Sequence, residues 1–151
     1  MVPKQLAARG LATWLGCGKS PVAPGTVGTL GALPLYWALK RLSPPAYFAA
    51  TAAVTAIGIW AANHEAKRLN DEDPSSVVID EVAGVLLALG FVRGRSLRAE
   101  ALAVALFRLF DIWKPGPIRT AERAQPPGLG IMADDIAAGA VAGLLARVLT
   151  R

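Results

Sequence analysis

The stretch Asp73-Pro74-Ser75-Ser76-Val77-Val78-Ile79-Asp80-Glu81-Val82-Ala83-Gly84-Val85-Leu86-Leu87-Ala88-Leu89-Gly90 decides the fold. Asp73-Pro74 reads as an N-cap followed by proline at the first helical position, opening a helix that runs to about Gly90. Strand-like alternation is missing, so the apolar run belongs to a buried helix. An acidic doublet, Asp80-Glu81, interrupts it. Isolated carboxylates are expensive to bury, so these two need metal ions, basic partners or water beside them.

The flanking text continues in helices. Gly90–Ser96 is a turn rich in arginine and glycine, and Leu97–Lys114 is a helical pattern stopped by Pro115 and Pro117. Ala124–Gly130, with Gln125-Pro126-Pro127-Gly128, reads as a loop, and Ile131–Leu149 as a last helix. Upstream, Ser20–Leu39 is broken by Pro21, Pro24, Pro34 and several glycines and reads as a loop entering a helix. Leu42–His64 carries no formal charge and would span roughly 34 Å as a helix, enough to cross a bilayer. Its alanine-rich interior favours insertion only weakly, and a buried central helix of a soluble bundle fits it equally well. Lys40 and Arg41 on one flank and Lys67 and Arg68 on the other leave orientation open. The expected architecture is all-α: one domain over residues 1–151, a bundle of about five to seven helices with room for membrane-embedded segments.

Composition narrows the function classes. The 151 residues are 54% hydrophobic and 18% charged, which excludes a disordered tail, a collagen-like chain or a charged coiled coil. Cys17 is the only cysteine, so no disulfide can form within the chain and a reducing compartment is permitted. Met1–Gly10 lacks an apolar region followed by a small-residue cleavage site, so no secretory signal is expected. The net charge of +5 is unevenly distributed: no acid precedes Glu65, whereas Lys4, Arg9, Lys19, Lys40 and Arg41 do. A basic, apolar first part suggests an anionic surface or substrate. Nucleic acid is disfavoured, because the bases are scattered and no reader motif appears.

Three constellations carry chemistry. Asp80-Glu81 and a second doublet, Asp134-Asp135, could together supply the oxygen ligands that Mg²⁺ or Mn²⁺ prefers. Gly84 and Gly139 each follow a doublet by one turn and let another helix backbone approach the carboxylate face. Capping and dipole pairing at a helix start is the plainer reading; it suits Asp134-Asp135 and fits Asp80-Glu81 poorly. Next, Gly16–Thr29 combines glycines with Lys19, Ser20, Thr26 and Thr29 ahead of a helix starting near Thr26, which describes an anion cradle or simply a bent connector. Third, Arg108, Asp111 and Lys114 recur at intervals of three, as a phosphate clamp or a surface ion pair would.

Several lookalikes fail. Gly18-Lys19-Ser20 imitates the end of a P-loop, but Thr13 stands at the required first glycine. Cys17 is followed six positions on by Ala23, where a cysteine phosphatase needs arginine. Asp71-Glu72-Asp73-Pro74-Ser75 has no apolar strand before it, as an aspartyl-phosphate motif requires. His64 is the only histidine, and it suits a helix-end or a catalytic role equally.

Four blocks together resemble the phosphatidylglycerophosphatase A family: Ser20–Thr29, Val78-Ile79-Asp80-Glu81, Phe107–Ile118 and Gly128-Leu129-Gly130-Ile131-Met132-Ala133-Asp134-Asp135-Ile136-Ala137-Ala138-Gly139. They stand in the family's order from about Leu15 to Gly143. The resemblance implies a Mg²⁺-dependent phosphatase that converts phosphatidylglycerophosphate to phosphatidylglycerol at the bacterial inner membrane, with its site facing the cytoplasm. It also implies an all-helical fold with its acids at the centre, and its motif maps onto Asp80, Glu81, Asp111, Lys114, Asp134 and Asp135. Ile79 and Gly116 stand where relatives can carry bulky aromatics.

The expected mechanism follows from both lines. Asp80, Glu81, Asp134 and Asp135 hold one or two Mg²⁺ ions, with Asp111 as a further ligand or a base that orients water. Lys19, Ser20, Thr26, Arg108 and Lys114 neutralise the phosphate oxygens, and Arg119 helps at the mouth. Two rivals stand beside it: a small helical membrane protein for cation or proton transport or assembly, and a metal phosphatase acting on a soluble phosphomonoester.

Overall fold

The computed structural model describes residues 2–151, and among them there are eight α-helices and no strand. These are α1 (Pro3–Ala12), α2 (Pro24–Gly31), α3 (Leu33–Leu39), α4 (Pro44–Leu69), α5 (Ile79–Val92), α6 (Leu97–Trp113), α7 (Gly116–Ala121) and α8 (Pro127–Leu149), with a 3₁₀ turn at Cys17–Lys19. The all-α expectation holds, and short helices form beside several of the prolines. Pro24, Pro34 and Pro117 sit in the first turns of α2, α3 and α7, where a missing N–H costs nothing.

Side-chain caps fix the starts of α4 and α6. Ser43 accepts the Ala46 N–H at the start of α4, and Ser96 accepts the Ala99 N–H at the start of α6. Helix α4 ends on Asn70 and α6 on Lys114, both left-handed (φ 52° and 49°), and Pro115 keeps α6 from continuing.

Helix α5 is apolar on every side and lies at the centre. Helix α8 runs parallel to it in backbone contact: a Cβ on Gly139 would collide with the Gly84 carbonyl, and one on Gly143 would sit 2.6 Å from the Ala88 carbonyl. Helix α6 crosses the same point, where Phe107 packs onto Gly84, and α4 closes the other flank through Gly58, against Met132 and Ile79. Tyr47 of α4 donates to the Leu86 carbonyl at 2.5 Å, inside a core of Val82, Val85, Leu86, Leu89, Phe107 and Met132. Both α4 and α8 are long and apolar enough to cross a membrane; α8 is the more buried of the two, and α4 leaves Phe48, Ala52, Ala56 and Ile57 exposed.

Two helix starts differ from the sequence reading. Helix α5 begins at Ile79, not at Pro74, because the segment before it is held elsewhere. The Val77 N–H turns back to the Pro74 carbonyl, the Val78 N–H donates to Ala12 at 2.8 Å, and Ser76 lies against Gly18. Helix α8 begins at Pro127, four residues before Ile131. Its early glycines serve packing and not a turn: Gly128 abuts the Ile59 carbonyl of α4, and a Cβ on Gly130 would meet the Glu122 carbonyl at 2.5 Å.

Candidate active site

One end of the bundle gathers the polar residues. There α5 and α8 begin, α4 and α6 finish, and α2 starts beside them. Because α5 opens at Ile79, Asp80 and Glu81 fall in its first turn, whereas Asp134 and Asp135 lie inside α8. This reverses the expectation about capping: the first doublet is the one placed at a helix start, and the second is the one that helix-start pairing cannot explain.

Asp80, Glu81 and Asp135 converge so that one carboxylate oxygen from each lies within 4.8 Å of the others. The contact of Gly84 with Gly139 brings them together by letting α5 and α8 touch. Asp80 Oδ1, Glu81 Oε2 and Asp135 Oδ2 are buried and have no hydrogen-bond partner. Burial, then the charges of Glu81 and Asp135, push the Asp80 carboxyl well above the usual carboxylate range, and burial raises Glu81 as well. Three converging carboxylates, each with a buried oxygen left unpartnered, suit a divalent cation such as Mg²⁺ or Mn²⁺.

Two cations flank this trio. Arg108 pairs with Asp111 one turn along α6, and its guanidinium lies 3.9 Å from Glu81. Lys114 Nζ lies 2.6 Å from Asp134 Oδ2 and 3.5 Å from Glu122. Burial works against the Lys114 ammonium, but the hydrogen bond and charge of Asp134 outweigh it and raise its pKa above the ordinary lysine value. Asp134 spends its other oxygen on the Asp135 N–H at 2.9 Å. Of the four carboxylates expected as ligands, Asp134 is therefore the one engaged with a lysine, not grouped with the unpartnered trio.

These groups line a cavity of about 340 Å³ that also touches Pro24, Gly25, Asp73 and Ser75. Gly25 is a spatial necessity: a Cβ there would sit 2.5 Å from Glu81 and 3.2 Å from Arg108. The start of α2 thus reaches the cavity, but not with the side chains the sequence singled out. Lys19 is exposed, Ser20 Oγ donates to the Val22 carbonyl, and neither they nor Thr26 line the cavity. Arg119 is exposed on α7, outside the lining. His64 belongs to a separate cleft with Gln5, Glu65 and Arg68. Sequence reasoning passed over Asp73, which looked like a cap, and Gly25, whose role depends on a helix 56 residues away.

The chain matches the family described as Phosphatidylglycerophosphatase A over residues 10–150. It is 36% identical to Phosphatidylglycerophosphatase A of Escherichia coli (strain K12) over 136 residues, which cover 89% of this chain and 79% of that protein. Identity to Phosphatidylglycerophosphatase A of Haemophilus influenzae is 35% over 129 residues, covering 85% and 79%. A Bacteroides thetaiotaomicron protein provisionally named phosphatidylinositol-3-phosphatase is 41% identical over 145 residues, covering 91% and 90%. No solved structure matches the chain.

Proposed function

Because the chain belongs to the phosphatidylglycerophosphatase A family and is a phosphoric monoester hydrolase, we propose that it hydrolyses phosphatidylglycerophosphate to phosphatidylglycerol and phosphate in a Mg²⁺-dependent reaction. One observation carries this reading: three converging carboxylates, each with a buried unpartnered oxygen, share the wall of one cavity with an arginine and a lysine. Asp80, Glu81 and Asp135 would hold the cation, which when bound supplies Lewis-acid polarisation of the phosphoryl group.

The chain's own residues do the rest. Arg108 and Lys114 take the non-bridging phosphate oxygens, and Asp111 and Asp134 hold those two cations in position at the rim. Gly25 leaves the space in which the phosphate meets them. The first N–H groups of α2, at Gly25 and Thr26, lack intrahelical acceptors and add donors on the same side. Water adds to phosphorus, the bond from phosphorus to the glycerol oxygen breaks, and that oxygen takes up a proton. Bacterial relatives and the two long apolar helices support a place at a membrane, which we take to be the cytoplasmic membrane with the site toward the cytoplasm.

Purified protein in detergent should release phosphate from phosphatidylglycerophosphate with Mg²⁺ and stop on chelation. Absence of release, or release that survives chelation, would overturn the reading. The Bacteroides relative favours a second reading, the same hydrolysis on another phosphorylated lipid headgroup. Relative rates on the two lipids decide between them.

A further inference from the structure

A second cavity adjoins the first. It is an apolar groove of about 340 Å³ between α3 and α6, and Arg108 borders both cavities. On the α6 side, Leu97, Ala101, Val104, Ala105 and Arg108 fall on one stripe at intervals of three and four residues. That stripe is about 17 Å long at 1.5 Å per residue, comparable to an extended acyl chain, and follows the helix axis. Leu33 and Trp37 of α3 form the opposite wall, and Trp37 stays 55% exposed beside it. The far end opens at Leu97, which is 79% exposed.

One acid lies in the wall, and it is neutralised. Glu100 accepts the Tyr36 hydroxyl at 2.7 Å and pairs with Lys40 at 3.2 Å, so the groove presents no free charge along its length. We infer that this groove holds an acyl chain of the lipid whose phosphate sits at Arg108, making Ala101 and Ala105 the residues that admit the chain. The inference rests on the lipid substrate proposed above. A polar, phosphate-binding end followed by an uncharged channel has the order of the substrate, whose headgroup glycerol and phosphodiester would lie between Arg108 and the acyl chain. The other apolar hollow, on the outer face of α4 around Phe48 and Ala52, does not reach any residue of the acidic cavity.

Two measurements test it. Phosphatidylglycerophosphate carrying a diazirine at its acyl terminus, photolysed with the protein in detergent and chelator so that it is not hydrolysed, should label residues 33–37 and 97–105. Ala105→Trp, at an exposed position that folding tolerates, should cut this labelling; Ala101→Phe is the second variant. The ratio of kcat/KM for long-chain phosphatidylglycerophosphate to that for its short-chain, water-soluble analogue should fall about tenfold or more in both, since each excluded methylene costs about fourfold in affinity. Labelling confined to α4, or an equal loss on both substrates, overturns the groove assignment. Labelling in the groove without phosphate release from any lipid leaves the groove standing and removes the proposed function. Release with an unaltered ratio does the reverse.

Discussion

Asp80 carries the sharpest conflict between stability and use. Its carboxyl is buried beside Glu81 and Asp135, and no hydrogen bond satisfies Oδ1. Asp80→Asn should lower phosphate release at least about a hundredfold, yet raise the stability of the metal-free protein by about 0.5–2 kcal/mol at neutral pH. Thermal unfolding with and without chelator checks both sides. The sign in pH follows from the raised folded-state pKa. A carboxyl that binds its proton more tightly when folded stabilises the fold at low pH, and that stability is lost as pH rises through the elevated value. Metal-free wild type should therefore lose melting temperature as pH increases, and Asp80→Asn should lose less. On the proposed reading protons and Mg²⁺ would compete for the same oxygens, so Mg²⁺ affinity should strengthen with rising pH and its binding should release protons, measurable by calorimetry in buffers of different ionisation enthalpy.

At the scale of elements, the crossing of α5 and α8 has no slack. Gly139→Ala would drive a methyl into the Gly84 carbonyl and should cost about 1–3 kcal/mol, seen as a lower melting temperature. Here the sequence was informative for a physical reason: glycine one turn past an acidic doublet, on both helices, is a local pattern. Arg108 with Asp111 was legible for the same reason, being one turn apart. What stayed hidden is what depends on distant chain. Asp73-Pro74 carries every local mark of a helix start, but the segment after it is held by the bond from Val78 to Ala12 and by the contact of Ser76 with Gly18. The pairing of Lys114 with Asp134, and of Tyr36 with Glu100, spans 20 and 64 residues and leaves no local trace. Glycines at 128 and 130 looked like loop residues because a loop and a close helix contact ask for the same missing side chain.

Across the whole molecule, charge and apolar surface are sorted along the axis. The acids other than Glu100 lie at the end that holds the site. The opposite end carries Arg93, Arg95 and Arg147, whose guanidiniums donate to the Lys40 and Leu42, Thr150 and Phe91 carbonyls, with Lys40, Arg41, Arg98 and Arg151 around them. Between the ends, α4 and α8 expose Phe48, Ile57, Val141 and Leu144. Such a body should co-sediment with vesicles more strongly as their anionic lipid fraction rises, and less so in high salt. Ile57→Glu should weaken that binding without altering the melting temperature in detergent. The backbone contact of α5 with α8 reaches further than stability. If the trio holds a cation as proposed, this contact sets the spacing of its ligands, because oxygens fixed to two touching helices cannot spread. Mg²⁺ needs about 2.0–2.1 Å to each oxygen and Ca²⁺ about 2.3–2.6 Å, so a change in that spacing should alter which ion the site takes. A methyl at position 139, by wedging the helices apart, should shift the site's preference toward the larger one.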